Sequence, residues 1–406
     1  MKICVIGAGA SGMMAAGTAA KNGADVTLID GNEKIGKKIF ITGKGRCNLT
    51  NYCDSVEFFE NVITNPKFLM SAYARFSSYD TFEFFSNYTE LKVERGNRVF
   101  PKSDKSSDII KAMQSFLQEN KVNLVLNTKV LNIKNYDNRF CVITKNSEYI
   151  FDKIIIATGG KSYSKTGSCG DGYQFAKNLG HKIIDIKPAL VPVECDIKFI
   201  ENLAGLTLKN VTAKIIKDGK TQASEFGEML FTHTGVSGPI ILSLSSKINR
   251  VDLSDSYISL DLKPALTYEE LDARILRDFE KYNKKLFKNA LDDLLPKSLI
   301  PKIIEYSKID ENREVNSVTV REREKLADAL KNFKIKILSL GSLEEAIITS
   351  GGVDIEQINP KTMESKLVEG LYFCGEVINC DALTGGFNMQ IAFSTGYSAG
   401  YFATNG

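Results

Sequence analysis

Histidine is scarce in this chain: two among 406 residues, His181 and His233. Ser-His-Asp catalysis and histidine-based metal centres need several imidazoles or partners around them, so this inventory nearly excludes both. Tryptophan is absent, which excludes no function. Eight cysteines are scattered along the chain, and none form a Cys-x-x-Cys pair. Zinc ribbons and thioredoxin-type redox motifs are therefore missing, and no metal site is expected. No apolar run is long enough to span a bilayer, so no membrane partner is expected. Met1 is followed almost at once by a strand-like run, Lys-Ile-Cys-Val-Ile. That leaves no room for a signal or transit peptide, and a cytosolic (cytoplasmic) protein is expected. In a reducing cytosol each cysteine is expected as a free thiol that packs like a small hydrophobe. A net charge of +3 argues for neither nucleic acid nor an anionic membrane as partner.

What is present is an ordinary globular composition, 43% hydrophobic and 25% charged, on a chain long enough for two or three domains. Residues 2 to 6 read as a buried strand. Gly7, Gly9 and Gly12 follow in GAGASG, with Ala10 and Ser11 opening a helix. The next strand, ADVTLID, closes on Asp30 and is followed by Gly31. A Gly-x-Gly-x-x-Gly triplet alone is a weak signal. Here it follows a strand, opens a helix, lies in a unit of the right length and is answered by an acid at the next strand's end. That context fits a dinucleotide-binding βαβ unit. Gly7 allows the tight turn, Gly9 the approach of a pyrophosphate, and Gly12 close packing of helix on strand. The helix N-terminus offers N–H donors to phosphates, and Asp30 offers an acceptor to ribose hydroxyls.

Three later stretches favour FAD over a nicotinamide dinucleotide at this site. Ala157, Thr158 and Gly159 end the strand IIIATGG. Gly375 and Glu376 end GLYFCGEV. Gly386 introduces a last helix, with Asn388 and Met389 in its first turn. The start of that helix is expected beside the flavin ring. Ala392, Gly396 and Gly400, spaced by four, give it one small face that can pack tightly. The segment TGKGRCNLTN places Thr42, Gly43, Gly45, Arg46, Cys47 and Asn48 on the path toward the flavin. Its two glycines permit close backbone approach. Arg46, Lys44 or the upstream Lys37 and Lys38 are candidates for phosphate charge. Cys47 reads as a small side chain beside the ring, with a redox role as the alternative. A flavin disulfide reductase is disfavoured, because neither a closely spaced redox cysteine pair nor a second Gly-x-Gly-x-x-Gly is present.

Between these stretches the chain changes character. Short strands KVNLVLN, TKVLNI, FCVITK and SEYIF, separated by Asn/Asp turns, read as a β-meander. Asp218-Gly219 lies between two strand-like runs, a strong hairpin signal. TYEE at 267 to 270 is a capping box that opens helical spacing. The expected fold is α/β: a doubly wound, discontinuous Rossmann-like FAD domain (1–190 and 343–406), an inserted small β-barrel-like domain (191–263 and about 334–342) and a small inserted helical domain (264–333).

The long stretches KIGKKIFITGKGRCNLTN, ATGGKSYSKTGSCGDGY, PALVPVE, GEMLFTHTGVSGP, INPKTMESK and GLYFCGEV…TGGFNMQIAFSTG together resemble one family. It is the FAD flavoproteins that include aminoacetone-oxidase-like and 3-dehydro-bile-acid-reductase-like members. The resemblance implies that the 42–48 loop lies along flavin and pyrophosphate and that Val130 covers the adenine side. Ser164, Asn379, Cys380 and Ala382 depart from the usual family residues near the implied flavin edge, so no single member's substrate transfers.

The function expected is an FAD-dependent oxidoreductase that transfers hydride at flavin N5 and acts on a small molecule. An NAD(P)H-linked reductase of a small or steroid-like unsaturated substrate competes with an amine (aminoacetone-type) oxidase using oxygen. A flavin-containing RNA-modifying or RNA-binding protein is a further alternative, and a plain NAD(P) dehydrogenase would purify colourless. On the substrate side Tyr163 and His233 are candidates, while His181 reads as structural. The sequence assigns no catalytic acid or base and no oligomeric state.

Overall fold

The computed structural model describes residues 1–136 and 139–405. The Asp137-Asn138 turn of the expected meander lies outside the described residues, as does Gly406 of the expected FAD domain. The chain divides into two compact units, Met1–Ala189 with Leu343–Gly406, and Leu190–Ser342.

The first unit is built on five parallel strands in the order Leu371–Phe373, Lys153–Ile156, Lys2–Ile6, Asp25–Ile29, Asn123–Val125. The central strands are near-continuous apolar runs because both faces of a parallel sheet are covered. The chain enters in the middle, winds outward through Asp25–Ile29 to Asn123–Val125, then returns on the other side of Lys2–Ile6. That reversal opens a crevice beyond the carboxyl ends of Lys2–Ile6 and Lys153–Ile156, where open α/β sheets take their ligands. Three of the four strands expected as a meander form an antiparallel sheet, Val130–Tyr136, Arg139–Thr144 and Glu148–Phe151, whereas the first, Asn123–Val125, joins the edge of the parallel sheet instead.

The glycine turn leads into the helix Ala10–Lys21, buried over most of its length. The last helix, Phe387–Asn405, packs on it through its small face. A Cβ at Gly396 would collide with the Ser11 carbonyl oxygen, and one at Gly400 with that of Ala15. The spacing of small residues read from the sequence therefore serves backbone-to-backbone helix contact.

His181 is buried after the helix Asp171–Asn178. Its backbone N–H donates to Ala176 O (2.9 Å), and its ring meets Ser365 Oγ at 2.8 Å and the edge of Phe373. Burial lowers its pKa below the ordinary 6.5. Below that value the unfolded chain binds the proton more readily, so this contribution to stability is present above pH 6.5 and is lost as pH falls. Thermal unfolding of a His181→Gln protein is expected to show a shallower decline than the parent between pH 7 and pH 5, and an identical decline would contradict this role.

The second unit holds a closed antiparallel barrel in the order Val193–Cys195, Gly235–Ser237, Lys220–Phe231, Thr207–Lys217, Tyr257–Asp261, Phe333–Leu340. Its longest hairpin turns at Asp218-Gly219, both at positive φ (49° and 72°) as a two-residue turn of this kind requires. The helix Tyr268–Lys281 starts on the Thr267/Glu270 capping box read from the sequence. A second box, Thr319/Glu322, opens Val320–Lys331. Leu271, Ile275 and Leu326 of these helices share one hydrophobic core with Val211, Ile258 and Phe333 of the barrel. Among the described residues no helix is long and apolar enough to cross a membrane.

Candidate cofactor site

The crevice is lined first by the glycine turn. Gly7 donates its N–H to Ile29 O at 2.9 Å and sits at φ 106°. A Cβ there would stand 2.5 Å from Ala157 O. One at Gly12 would overlap the Gly7 carbonyl oxygen. Gly9 differs: its Cβ would meet nothing within 4 Å, and its φ of −85° suits any residue. Protein packing does not demand a glycine at position 9, whereas a ligand lying on the turn does. The helix that begins at Ala10 has no side-chain cap, so its first-turn N–H donors and positive dipole end are available to an anion. Ser11 is buried under Gly375, which has no room for a side chain against the Ser11 hydroxyl.

Asp30 is more occupied than its motif suggests. Oδ2 accepts from Ala8 N (2.6 Å), and Oδ1 from Asn32 N (2.7 Å) and Asn32 Nδ2 (2.8 Å). A carboxylate has about four acceptor sites, so one remains for a hydroxyl. Beside it, Gly31 lies against Lys129, and Thr128 donates its N–H to Asp30 O at 2.9 Å. That contact brings buried Val130 next to the same turn.

The opposite wall is the ATGG turn. Ala157 is buried, Thr158 Oγ1 is buried without a partner, and Gly159 takes φ 73°. Just beyond it a charged knot ties four segments together. Lys38 Nζ donates to Glu376 Oε2 (2.6 Å) and Ser162 Oγ (2.7 Å). Glu376 Oε1 accepts from Thr349 N (2.8 Å) and Ser162 Oγ (3.0 Å). Lys38 and Glu376, each expected to face the cofactor, face one another. Ser162 and Thr349 went unnoticed in the sequence, although both adjoin glycine pairs, in ATGGKS and ITSGG.

Along TGKGRCNLTN, Thr42 O accepts from Cys47 N at 2.9 Å, closing a loop in which Gly43, Lys44, Gly45 and Cys47 all have positive φ. Arg46 does not reach for phosphate. Its guanidinium is held by Glu94 and Asp104 and lies 4.2 Å over the Phe100 ring. Asn48 Oδ1 is buried without a partner. The side chain of Asn388 clamps its own loop: Oδ1 accepts from Ala382 N (2.9 Å), and Nδ2 donates to Ala382 O (2.7 Å). Met389 packs half-buried against the core, and Gly386 fits only because a Cβ would strike Thr50.

Cys47 is fully buried, and desolvation raises its thiol to about 12. It is protonated at neutral pH and poorly suited to nucleophilic or redox work. Among the eight cysteines only Cys169 is exposed. Brief alkylation of the native protein is therefore expected to label Cys169 and spare Cys47, which peptide mapping by mass spectrometry checks.

Tyr163, at φ 54°, follows the knot, with Lys38 Nζ 5.8 Å from its ring centroid. His233 belongs to the other unit, exposed at the tip between Lys220–Phe231 and Gly235–Ser237. Open ground at Gly9, an uncapped helix, and unpartnered buried oxygens at Thr158 and Asn48 fit a long dinucleotide such as FAD. Among the described residues no cluster of His, Cys, Asp or Glu is arranged to hold a metal ion.

Known proteins share this architecture. The family described as HI0933-like protein Rossmann domain matches residues 1–402. The 3-dehydro-bile acid delta(4,6)-reductase of Clostridium scindens is 29% identical over 403 residues, 98% of each chain. The ribosomal RNA dihydrouridine synthase of Haemophilus influenzae is 32% identical over 409 residues, 97% of this chain and 96% of its own. Among solved structures, the 3-ketosteroid-delta4-(5alpha)-dehydrogenase of Rhodococcus jostii aligns with a TM-score of 0.54 at 14% identity, covering 99% of this chain and 96% of that one. That last likeness is one of fold.

Proposed function

We propose, from the premise that this chain belongs to the HI0933-like Rossmann-domain family, that it saturates a carbon–carbon double bond conjugated to a carbonyl. It is an FAD-dependent oxidoreductase. One observation carries the finer reading. The two relatives matched along almost their whole length are named a delta(4,6)-reductase and a dihydrouridine synthase. Dihydrouridine is uridine with the double bond next to its C4 carbonyl saturated, so both names describe addition of two hydrogens to a conjugated double bond. An unsaturated small molecule of steroid-like type is the substrate class favoured here, with NADH or NADPH as electron donor. The Haemophilus relative supports a second reading, in which the double bond belongs to a uridine in RNA.

FAD, once bound and reduced by the nicotinamide donor, would supply hydride from N5 in such a reaction. The chain's own residues bind and orient. The Gly7–Gly12 turn and the helix start at Ala10 are assigned to the pyrophosphate, Asp30 to the adenosine ribose, and Val130 to the adenine side. The Lys38–Glu376 knot holds the two walls of the crevice in register. The start of Phe387–Asn405 is assigned to the pyrimidine end of the flavin ring. Saturation also needs a proton at the carbon next to the carbonyl, and Tyr163, beside the crevice, is the side chain proposed to hold it.

The test starts from enzyme reduced without air. Enzyme reduced by light is mixed separately with a 4-en-3-one steroid, with uridine-containing RNA and with oxygen. Fast return of flavin absorbance with the steroid supports the first reading, and return with RNA the second. Return with oxygen alone, in a protein that amines reduce, would replace both with an amine oxidase.

A further inference from the structure

Asn51, the last residue of TGKGRCNLTN, is 3% exposed. Its Nδ2 donates to Gly96 O (3.0 Å) and Gly385 O (3.2 Å). Both amide hydrogens are thus engaged, and turning the carboxamide over would set its oxygen against two carbonyls. The orientation is fixed by its partners. Oδ1 is then a buried acceptor, and it has no partner. Buried polar atoms are rarely left in that state, because an unmet acceptor keeps its full desolvation cost.

The atom lies at a particular place. Gly385 and Gly386 form the turn into Phe387–Asn405, at φ 123° and 100°. The absence of a side chain at Gly386 lets that turn press against Thr50, the residue before Asn51. Gln390 N returns to Gly386 O at 3.0 Å, so the N–H groups of residues 387 to 389 precede the first intrahelical bond. One acceptor therefore stands beside a group of donors. Its complement is an N–H flanked by carbonyl oxygens, an imide. FAD has one imide edge, the C2 carbonyl, N3–H and C4 carbonyl of its pyrimidine ring, and its adenine has none.

We propose that the Asn51 carboxamide oxygen accepts a hydrogen bond from flavin N3–H, making Asn51 a cofactor-positioning residue. This rests on the reading above that the flavin ring lies at the start of the last helix. A uracil substrate carries the same imide, so the test is made with cofactor and no substrate.

Flavin is removed, and FAD and 3-methyl-FAD are titrated into the parent apoprotein, Asn51→Ala and Asn51→Asp, with flavin fluorescence as the readout. The methyl group deletes the donor. It is expected to weaken binding about tenfold or more in the parent and in Asn51→Asp, which keeps an acceptor, and less than about threefold in Asn51→Ala. Equal penalties in parent and Asn51→Ala overturn the inference. If Asn51→Ala does not fold, the ionisation of bound flavin N3–H, followed by absorbance, decides: Asn51→Asp should raise its pKa, and an unmoved pKa overturns the inference. A parent that binds both flavins equally well removes the Asn51 contact and leaves the FAD reading standing. A parent that binds neither removes both.

Discussion

A Gly9→Val protein is expected to fold as the parent does and to purify without FAD. The side chain at position 9 meets no protein atom within 4 Å, and the backbone there is extended, at φ −85° and ψ −169°. β-Branched residues accept that conformation. The folded apoprotein therefore loses only the difference between glycine and valine at a helix N-cap, about 1 kcal/mol. The ligand loses far more. Two added methyl groups stand where a pyrophosphate must approach the turn, and a drop in FAD affinity of about 100-fold, or ~2.7 kcal/mol, is expected. The absorbance ratio at 450 and 280 nm reports bound flavin, and thermal unfolding of the apoprotein reports the fold. Parent-level flavin in the variant would mean that the cofactor does not lie on this turn.

Gly396→Val should do the reverse of a clean cofactor lesion. There the new Cβ collides with the Ser11 carbonyl, a backbone atom at the start of the glycine-turn helix. Neither helix can yield locally, because Gly400 is packed equally closely on Ala15 one turn later. Separating them exposes buried Ala15, Ala19 and Ala399 and disturbs Gly375, whose N–H donates to Thr395 Oγ1 at 2.9 Å. Overpacking of this kind costs about 3 kcal/mol or more. The expected result is an insoluble protein, or one whose apo form unfolds several degrees below both the parent and Gly9→Val. Equal stability of the two variants would contradict the helix contact.

These two glycines illustrate what the sequence carries. The strand, glycine turn, helix, strand and acid of residues 2 to 30 have local signatures, and they sit as read. So do the Asp218-Gly219 hairpin and the Thr267/Glu270 capping box. The small face of the last helix was visible in its four-residue spacing, but its partner was not, since periodicity tells which face is buried and not what covers it. The helices after residue 267 showed the same limit: their apolar faces were legible, and their shared core with the barrel was not.

Charged residues were the least legible, because their partners lie far along the chain. Arg46 in a glycine-rich loop suggested a phosphate contact, yet Glu94 and Asp104, 48 and 58 residues away, hold it. Lys38 and Glu376 are 338 residues apart, and no local pattern pairs them. Asn51 closes the glycine-rich motif TGKGRCNLTN, and nothing local marks it as a ligand. Only the hydrogen bonds that occupy its nitrogen reveal that its oxygen is left over.

The most direct test of the account is an anaerobic absorbance spectrum of the purified protein, taken before and after NADH or NADPH and again after a 4-en-3-one steroid. The account predicts a yellow protein that bleaches with the nicotinamide and regains its colour with the steroid while oxygen is excluded. A colourless protein that cannot be reconstituted with FAD would contradict it, as would a yellow one that neither nicotinamide bleaches.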